Sequence, residues 1–283
     1  MSRWMGRAGC LAAAVLTVAV AGCETGSRVA RAPGIAVVER DESGSTAVNI
    51  ESLTDVISRN PGDASAYNTR GAAYARAGRY SEALADFNKA LQLDPNSAAA
   101  YTNRALAYRQ TGRSEQALAD FTSAIQANAN YGPAYIGRAN LYRAKGQSDA
   151  ALADLDQAIR LLPESAEALH ARGLVHQRMG RHREAVIDFG AAVDRNAYVS
   201  APYAGRGQSL IALGQFDKAV EDFNAALNVN QRDADSWAHR GVALERLDKR
   251  AEAIESYQRA KGIDQGNQTA SQGLSRLQGM FRG

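Results

Sequence analysis

Cysteine is almost missing from this chain of 283 residues: there are two, Cys10 and Cys23, and none after them. The body of the protein therefore has no disulfide framework, no cysteine-ligated metal and no thiol nucleophile. Histidine is scarce too. His170, His176 and His182 are six residues apart, which puts them on different helical faces, and with His239 they form no HExxH pair. No phosphate-binding loop exists, because Gly205-Arg206-Gly207 runs on to Ser209 and Leu210 without a third glycine. The expected sets of catalytic residues, metal ligands and cofactors are all empty. After Cys23 there is no apolar run of the ~20 residues that a membrane-spanning helix needs. Proline is rare, and only 5 of the 33 basic residues are lysine. What the chain has in excess is alanine, 56 residues, the best helix former and a close packer, so the composition leans away from sheet.

The formal charge of +3 invites a nucleic-acid or membrane-surface reading. Part of it belongs to the N-terminus, where Arg3 and Arg7 precede an uncharged stretch from Ala8 to Cys23, the layout of a secretory signal. That stretch ends Val20-Ala21-Gly22-Cys23, an aliphatic residue, two small ones and cysteine, and resembles the lipobox of bacterial lipoproteins. The resemblance implies a signal peptide over 1–22, cleavage before Cys23, and acyl chains such as palmitate on Cys23. In the enterobacterial pattern an aspartate after the cysteine retains the protein in the inner membrane. Glu24 there points to the outer membrane, lipid-anchored and facing the periplasm, with inner-membrane anchoring as the alternative. Export also removes nucleic acid from the partners. Without the leader the chain has 31 basic and 30 acidic residues, so little basicity remains. Residues 23–47 mix Gly, Ser, Pro and both charges without a period, and predict a flexible tether.

A period of 34 governs the rest. Gly71, Ala105, Ala139, Gly173, Gly207 and Gly241 recur at that spacing. So do Ala83, Ala117, Ala151, Ala185, Ala219 and Ala253, and then Phe87, Phe121, Leu155, Phe189, Phe223 and Tyr257. Within one unit Tyr67, Gly71 and Tyr74 share one helical face, and Ala83, Phe87 and Ala90 share another. Glycine recurs between the two, at Gly78, Gly112, Gly146, Gly180 and Gly214, where a left-handed cap would end the first helix; the sixth copy has Asp248. This pattern resembles the tetratricopeptide repeat. The resemblance implies an all-α, right-handed superhelical solenoid of six helical hairpins, 64–97, 98–131, 132–165, 166–199, 200–233 and 234–267. Pro95 and Pro163 close two units, and the other units lack that proline. Ile50, Leu53, Val56 and Ile57 stand 34 before Leu84, Phe87, Ala90 and Leu91, so 48–63 reads as a degenerate half-repeat with its helix over 48–60. Leu274 and Leu277 suggest a solvating helix in 268–283, although Gly273 and Gly279 weaken it.

Arginine precedes the small residue in every copy: Arg70, Arg104, Arg138, Arg172, Arg206 and Arg240. Sixteen residues on stand Asp86, Asp120, Asp154, Asp188 and Asp222, with Ser256 in the sixth copy. A basic stripe gripping phosphates would explain the arginines alone. The repeated acid favours a ladder of forked, partly buried ion pairs instead.

In this repeat family the first helices line a concave face. Their variable positions are therefore the candidate partner-binding groove: Asn68, Thr102, Leu106, Arg109, Ile136, Asn140, Arg143, His170, Leu174, Gln177 and Gln208. Amides, an arginine pair and small residues suit an extended peptide. The family's carboxylate clamp needs Lys and Asn at the fifth and ninth positions of one repeat. Asn68 with Ala72 and Ile136 with Asn140 both miss it, so chaperone-tail binding is not expected. The expected function is a non-catalytic, membrane-anchored periplasmic adaptor that holds envelope proteins in its groove, for cell-envelope maintenance or peptidoglycan enzyme organisation. The alternative is a pilotin-like assembly factor for a type IV pilus or secretion channel. The sequence leaves the oligomeric state open.

Overall fold

The computed structural model describes residues 45–279, with side chains from Ile50 to Leu277. They belong to one compact unit, Ile35–Gly283; the other unit, Met1–Gly34, lies outside the described residues, and with it Cys23 and the signal segment. Among the described residues there are 14 helices and no strand. The first, α1 (Ser45–Arg59), takes three residues expected in the tether, since the helix runs back to the residue after Gly44. Six hairpins follow: α2 (Ala64–Arg76) with α3 (Tyr80–Leu93), α4 (Ala98–Gln110) with α5 (Ser114–Ala127), and α6 (Gly132–Ala144) with α7 (Ser148–Leu161). Then come α8 (Ala166–Arg178) with α9 (His182–Arg195), α10 (Ser200–Ala212) with α11 (Phe216–Val229), and α12 (Ala234–Arg246) with α13 (Arg250–Ile263). The last helix is α14 (Gln268–Gly279). The array is an all-α helical repeat solenoid.

Local sequence explains the ends of these helices. Asp63, Ser97, Ser165 and Asp233 accept hydrogen bonds from first-turn amides of α2, α4, α8 and α12. Between repeats, Asp94, Asn128, Asn196, Asn230 and Asp264 each accept from the amide two residues on, at 2.8–3.1 Å. This Asx turn closes the units that lack proline, so the missing prolines leave the register undisturbed. Within each hairpin the chain turns at a left-handed residue, from Gly78 at φ 74° to Gly214 at φ 74°, and at Asp248 with φ 60°. Only Asp248 carries a Cβ in that region, which costs about 1 kcal/mol. Asp248→Gly is therefore expected to raise the thermal midpoint by roughly 2–4 °C, read by circular dichroism. The lost 3.0 Å pair with Arg250 is exposed and offsets little.

Each hairpin closes on a ring or leucine that is fully or almost fully buried: Phe87, Phe121, Leu155, Phe189, Phe223 and Tyr257. The small residues beneath them are what let the helices approach. At Gly273 a Cβ would stand 2.3 Å from the Tyr257 ring, so the glycine that weakened the helical reading of α14 is where the ring docks. Arg276 of α14 completes this cap with two hydrogen bonds to Glu245, at 3.0 and 2.9 Å. Cα atoms of successive first helices come within 8 Å of one another, from α2 against α4 to α10 against α12, whereas those of successive second helices stay farther apart. The first helices therefore form the inner side of the curve.

Candidate partner-binding groove

The ladder arginines decide which charges stay free. Arg70, Arg104, Arg138, Arg172 and Arg206 each fork onto both oxygens of Asp86, Asp120, Asp154, Asp188 and Asp222, through Nε and Nη2 at 2.6–2.9 Å. Four of them also reach back to the preceding unit with Nη1, to Thr54, Asn88, Thr122 and Asp156. Spacing within one repeat did not reveal this second contact, which ties neighbouring repeats together. Tyrosines flank several of these guanidiniums, as Tyr101 and Tyr108 flank Arg104 at 5.6 and 5.9 Å. All five charges are spent on the fold. Arg240 differs: it donates to the neutral Ser256 Oγ at 2.6 Å and Asn224 Oδ1 at 2.7 Å.

The candidate groove residues divide. Thr102 and Ile136 are each 2% exposed and Leu106 is 7% exposed, so these three cannot contact a partner. They are corrected to packing residues: the first helices touch their neighbours, and these positions point into that contact. Gln177 is committed across a repeat boundary, with Nε2 donating to Gly205 O, Ser209 Oγ and Gln208 Oε1 at 3.2, 3.2 and 3.4 Å. Asn68 accepts from Asn103 Nδ2 at 3.0 Å.

The other five come together. Arg109, Asn140, Arg143, His170 and Leu174 line one hollow of about 520 Å³ across α4, α6 and α8, with Glu167 and Ser114. Among the described residues neither guanidinium has an acid within ion-pairing distance, and the Nε of Arg143 is buried without a hydrogen-bond partner. Desolvation holds Arg109 below its usual pKa, and the charge of Arg143 adds to that against the pull of Glu167. Glu167 is open to water at its surface but crowded by the concavity, and its carboxyl is raised by desolvation, opposed by Arg109. Two cations thus share the hollow with one carboxylate. Their free N–H groups suit an incoming carboxylate.

His170 is pushed down to about 4, first by desolvation and then by Arg143, and it packs on Phe189 with ring centroids 5.6 Å apart. It is neutral at neutral pH. An unfolded histidine takes its proton near 6.5 and the folded one near 4. Stability from this group is therefore full above about 6.5 and lost as the pH falls towards 4, on the order of 2–3 kcal/mol. Urea midpoints measured from pH 7 to pH 4 should show that loss, and His170→Gln should flatten it. The other two central histidines serve packing: His176 stands 3.7 Å from Asp188 where the first three copies have tyrosine, and His182 is buried at Nδ1. Among the described residues no three potential metal ligands cluster, and no helix is long and apolar enough to cross a membrane.

Tetratricopeptide-repeat family models match residues 64–97, 87–119, 139–180, 166–198 and 205–268. No curated protein matches the sequence. Among solved structures, the APC/C hetero-tetramer Cut9–Hcn1 is similar with a TM-score of 0.73 and 20% identity, over 85% of this chain and 47% of that one, so this chain spans about half its length. Pseudomonas aeruginosa pilF is similar with a TM-score of 0.69 and 18% identity, over 79% of this chain and 99% of that one. YrrB, described as a TPR protein with an unusual peptide-binding site, gives 0.56 and 24%, over 66% and 96%.

Proposed function

We propose that this tetratricopeptide-repeat chain is a lipid-anchored periplasmic adaptor that takes an acidic stretch of a partner protein into the hollow between Arg109 and Arg143. Tetratricopeptide repeats are protein-interaction scaffolds, and no enzyme family matches the chain. The observation that carries the reading is the contrast within one array: five arginines are neutralised by aspartates, while the two that face the groove keep unpaired donors. An extended peptide would set its backbone against the Asn140 amide and a carboxylate between the guanidiniums. The anchor rests on the Val20–Cys23 segment and the charges before it, and the outer membrane on Glu24. The work at the envelope would be to organise peptidoglycan enzymes. A second reading, a pilotin-like assembly factor for a pilus or secretion channel, needs the same anchor and groove. The likeness in fold to the whole pilF chain supports keeping it.

Affinity capture from envelope extracts tests both. Peptidoglycan hydrolases or synthases support the adaptor, and a secretin supports the assembly factor. In either case Arg109→Gln with Arg143→Gln should weaken the captured interaction by more than about tenfold, from ~1.5–3 kcal/mol per charge-assisted hydrogen bond. Unchanged capture by that variant would remove the groove from the reading. Cys23→Ala should release the protein from the membrane fraction.

A further inference from the structure

We propose a second binding site, independent of the groove, for an acidic peptide segment between the second helices α11 and α13. A hollow of about 740 Å³ opens there, lined by Trp237 and Arg240 of α12. Its walls carry Leu227, the 40%-exposed Ile263, and the cations Arg232 and Arg259. Against three arginines it has one acid, Glu255, which pairs with Arg259 at 3.0 Å.

The comparison that carries the inference is with the preceding repeat, 34 residues back. There the guanidinium is Arg206, held by Asp222 on both oxygens at 2.8 and 2.6 Å and within the field of Asp194. In the last repeat Asp222 becomes Ser256 and Asp194 becomes Asn228, so both acids are gone. Over the same step Tyr198 becomes Arg232 and Ala225 becomes Arg259, so two cations are gained. The fold does not require this exchange, because the other five copies build the same hairpin with the aspartate in place. It leaves Arg240 with neutral partners only, Ser256 and Asn224, at the edge of an open hollow. Tyr203 also becomes Trp237, whose indole lies 5.7 Å from the Arg240 guanidinium and 5.1 Å from that of Arg259. Cations around the apolar Leu227, Trp237 and Ile263 fit a carboxylate side chain that arrives beside an apolar one. The Cα atoms of α11 and α13 stay more than 8 Å apart, so the gap between the two backbones leaves room for an extended segment.

Trp237 reports on its own site. The chain has two tryptophans; Trp4 lies in the leader that the proposed cleavage removes, and Trp4→Phe leaves Trp237 alone in an uncleaved chain as well. The full chain with that change is titrated with a blocked peptide of Glu, Leu and Gly, with the same peptide carrying Gln for Glu, and with inorganic phosphate. The expected result is a saturable change in Trp237 emission with the Glu peptide that weakens with added salt. Ser256→Asp, which supplies the acid of the other copies, should reduce affinity about tenfold or more with the thermal midpoint kept. Arg232→Gln with Arg259→Gln, both on exposed side chains, should do the same and decides the question if the buried aspartate unfolds the repeat. Arg109→Gln with Arg143→Gln should leave this signal unchanged, which separates the site from the groove. The proposal is overturned by no saturable change, by equal affinity for the Gln peptide, by phosphate binding more tightly than the peptide, or by loss of the signal in the groove variant alone.

Discussion

Asp120→Ala is expected to lower the thermal midpoint by roughly 10 °C, from ~3–5 kcal/mol for breaking a buried pair on one side. The side chains of Arg104 and Asp120 are 19% and 9% exposed, so water reaches the stranded guanidinium poorly. Without Asp120 it loses bonds of 2.7 and 2.8 Å and keeps Asn88, with the rings of Tyr101 and Tyr108 on either side. Changing Arg104 and Asp120 together to alanine should cost less than the sum of the single changes, because no uncompensated charge is left. Thermal melts of the two single variants and the double variant check this, and strict additivity would mean that the rung is not a unit. Glu82→Ala is the control: its 2.8 Å pair with Arg79 lies on the surface and should leave the midpoint unchanged.

Phe189→Ala should do comparable damage by a different route. The ring is completely buried and wedged between repeats: Cβ atoms at Gly173 of α8 and Gly205 of α10 would stand 2.8 and 2.7 Å from it. Truncation leaves a cavity at the junction of the fourth and fifth hairpins, worth ~3–5 kcal/mol. A repeat array is held by nearest-neighbour interfaces, so a gap in the middle uncouples its two halves. Denaturant unfolding should change from one transition to two. A single transition, merely shifted, would show that the ladder and the inner helices carry the coupling without the ring.

Much of the fold is legible in the residues because each hairpin is held by contacts at fixed short spacings. Small residue, turn glycine, alanine and ring return every 34 positions, and arginine meets aspartate 16 residues on. Less of the site is legible. Arg109, Asn140, Arg143, His170 and Leu174 do converge, yet Thr102, Leu106 and Ile136, chosen by the same rule of variable positions, are buried. Variability distinguishes residues that each copy shares from residues that it does not; it does not say whether a neighbouring helix covers them. The hollow at Trp237 is hidden from the sequence for a related reason. Its signal, the change from Asp222 to Ser256, stands in the sequence, but whether the space beside Arg240 is open depends on how the last two hairpins stack.

The sequence by itself determined the helical hairpin, the number of its copies and the partner of each ladder arginine, because those depend on residues close together in the chain and repeated. The tertiary structure decided which charges remain unpaired and which surfaces stay open. Those depend on how the hairpins stack: first helices close against one another and bury three of the expected groove residues, while second helices spread and leave the gap beside Trp237. Stacking is set by contacts between repeats, and no spacing within one repeat encodes it.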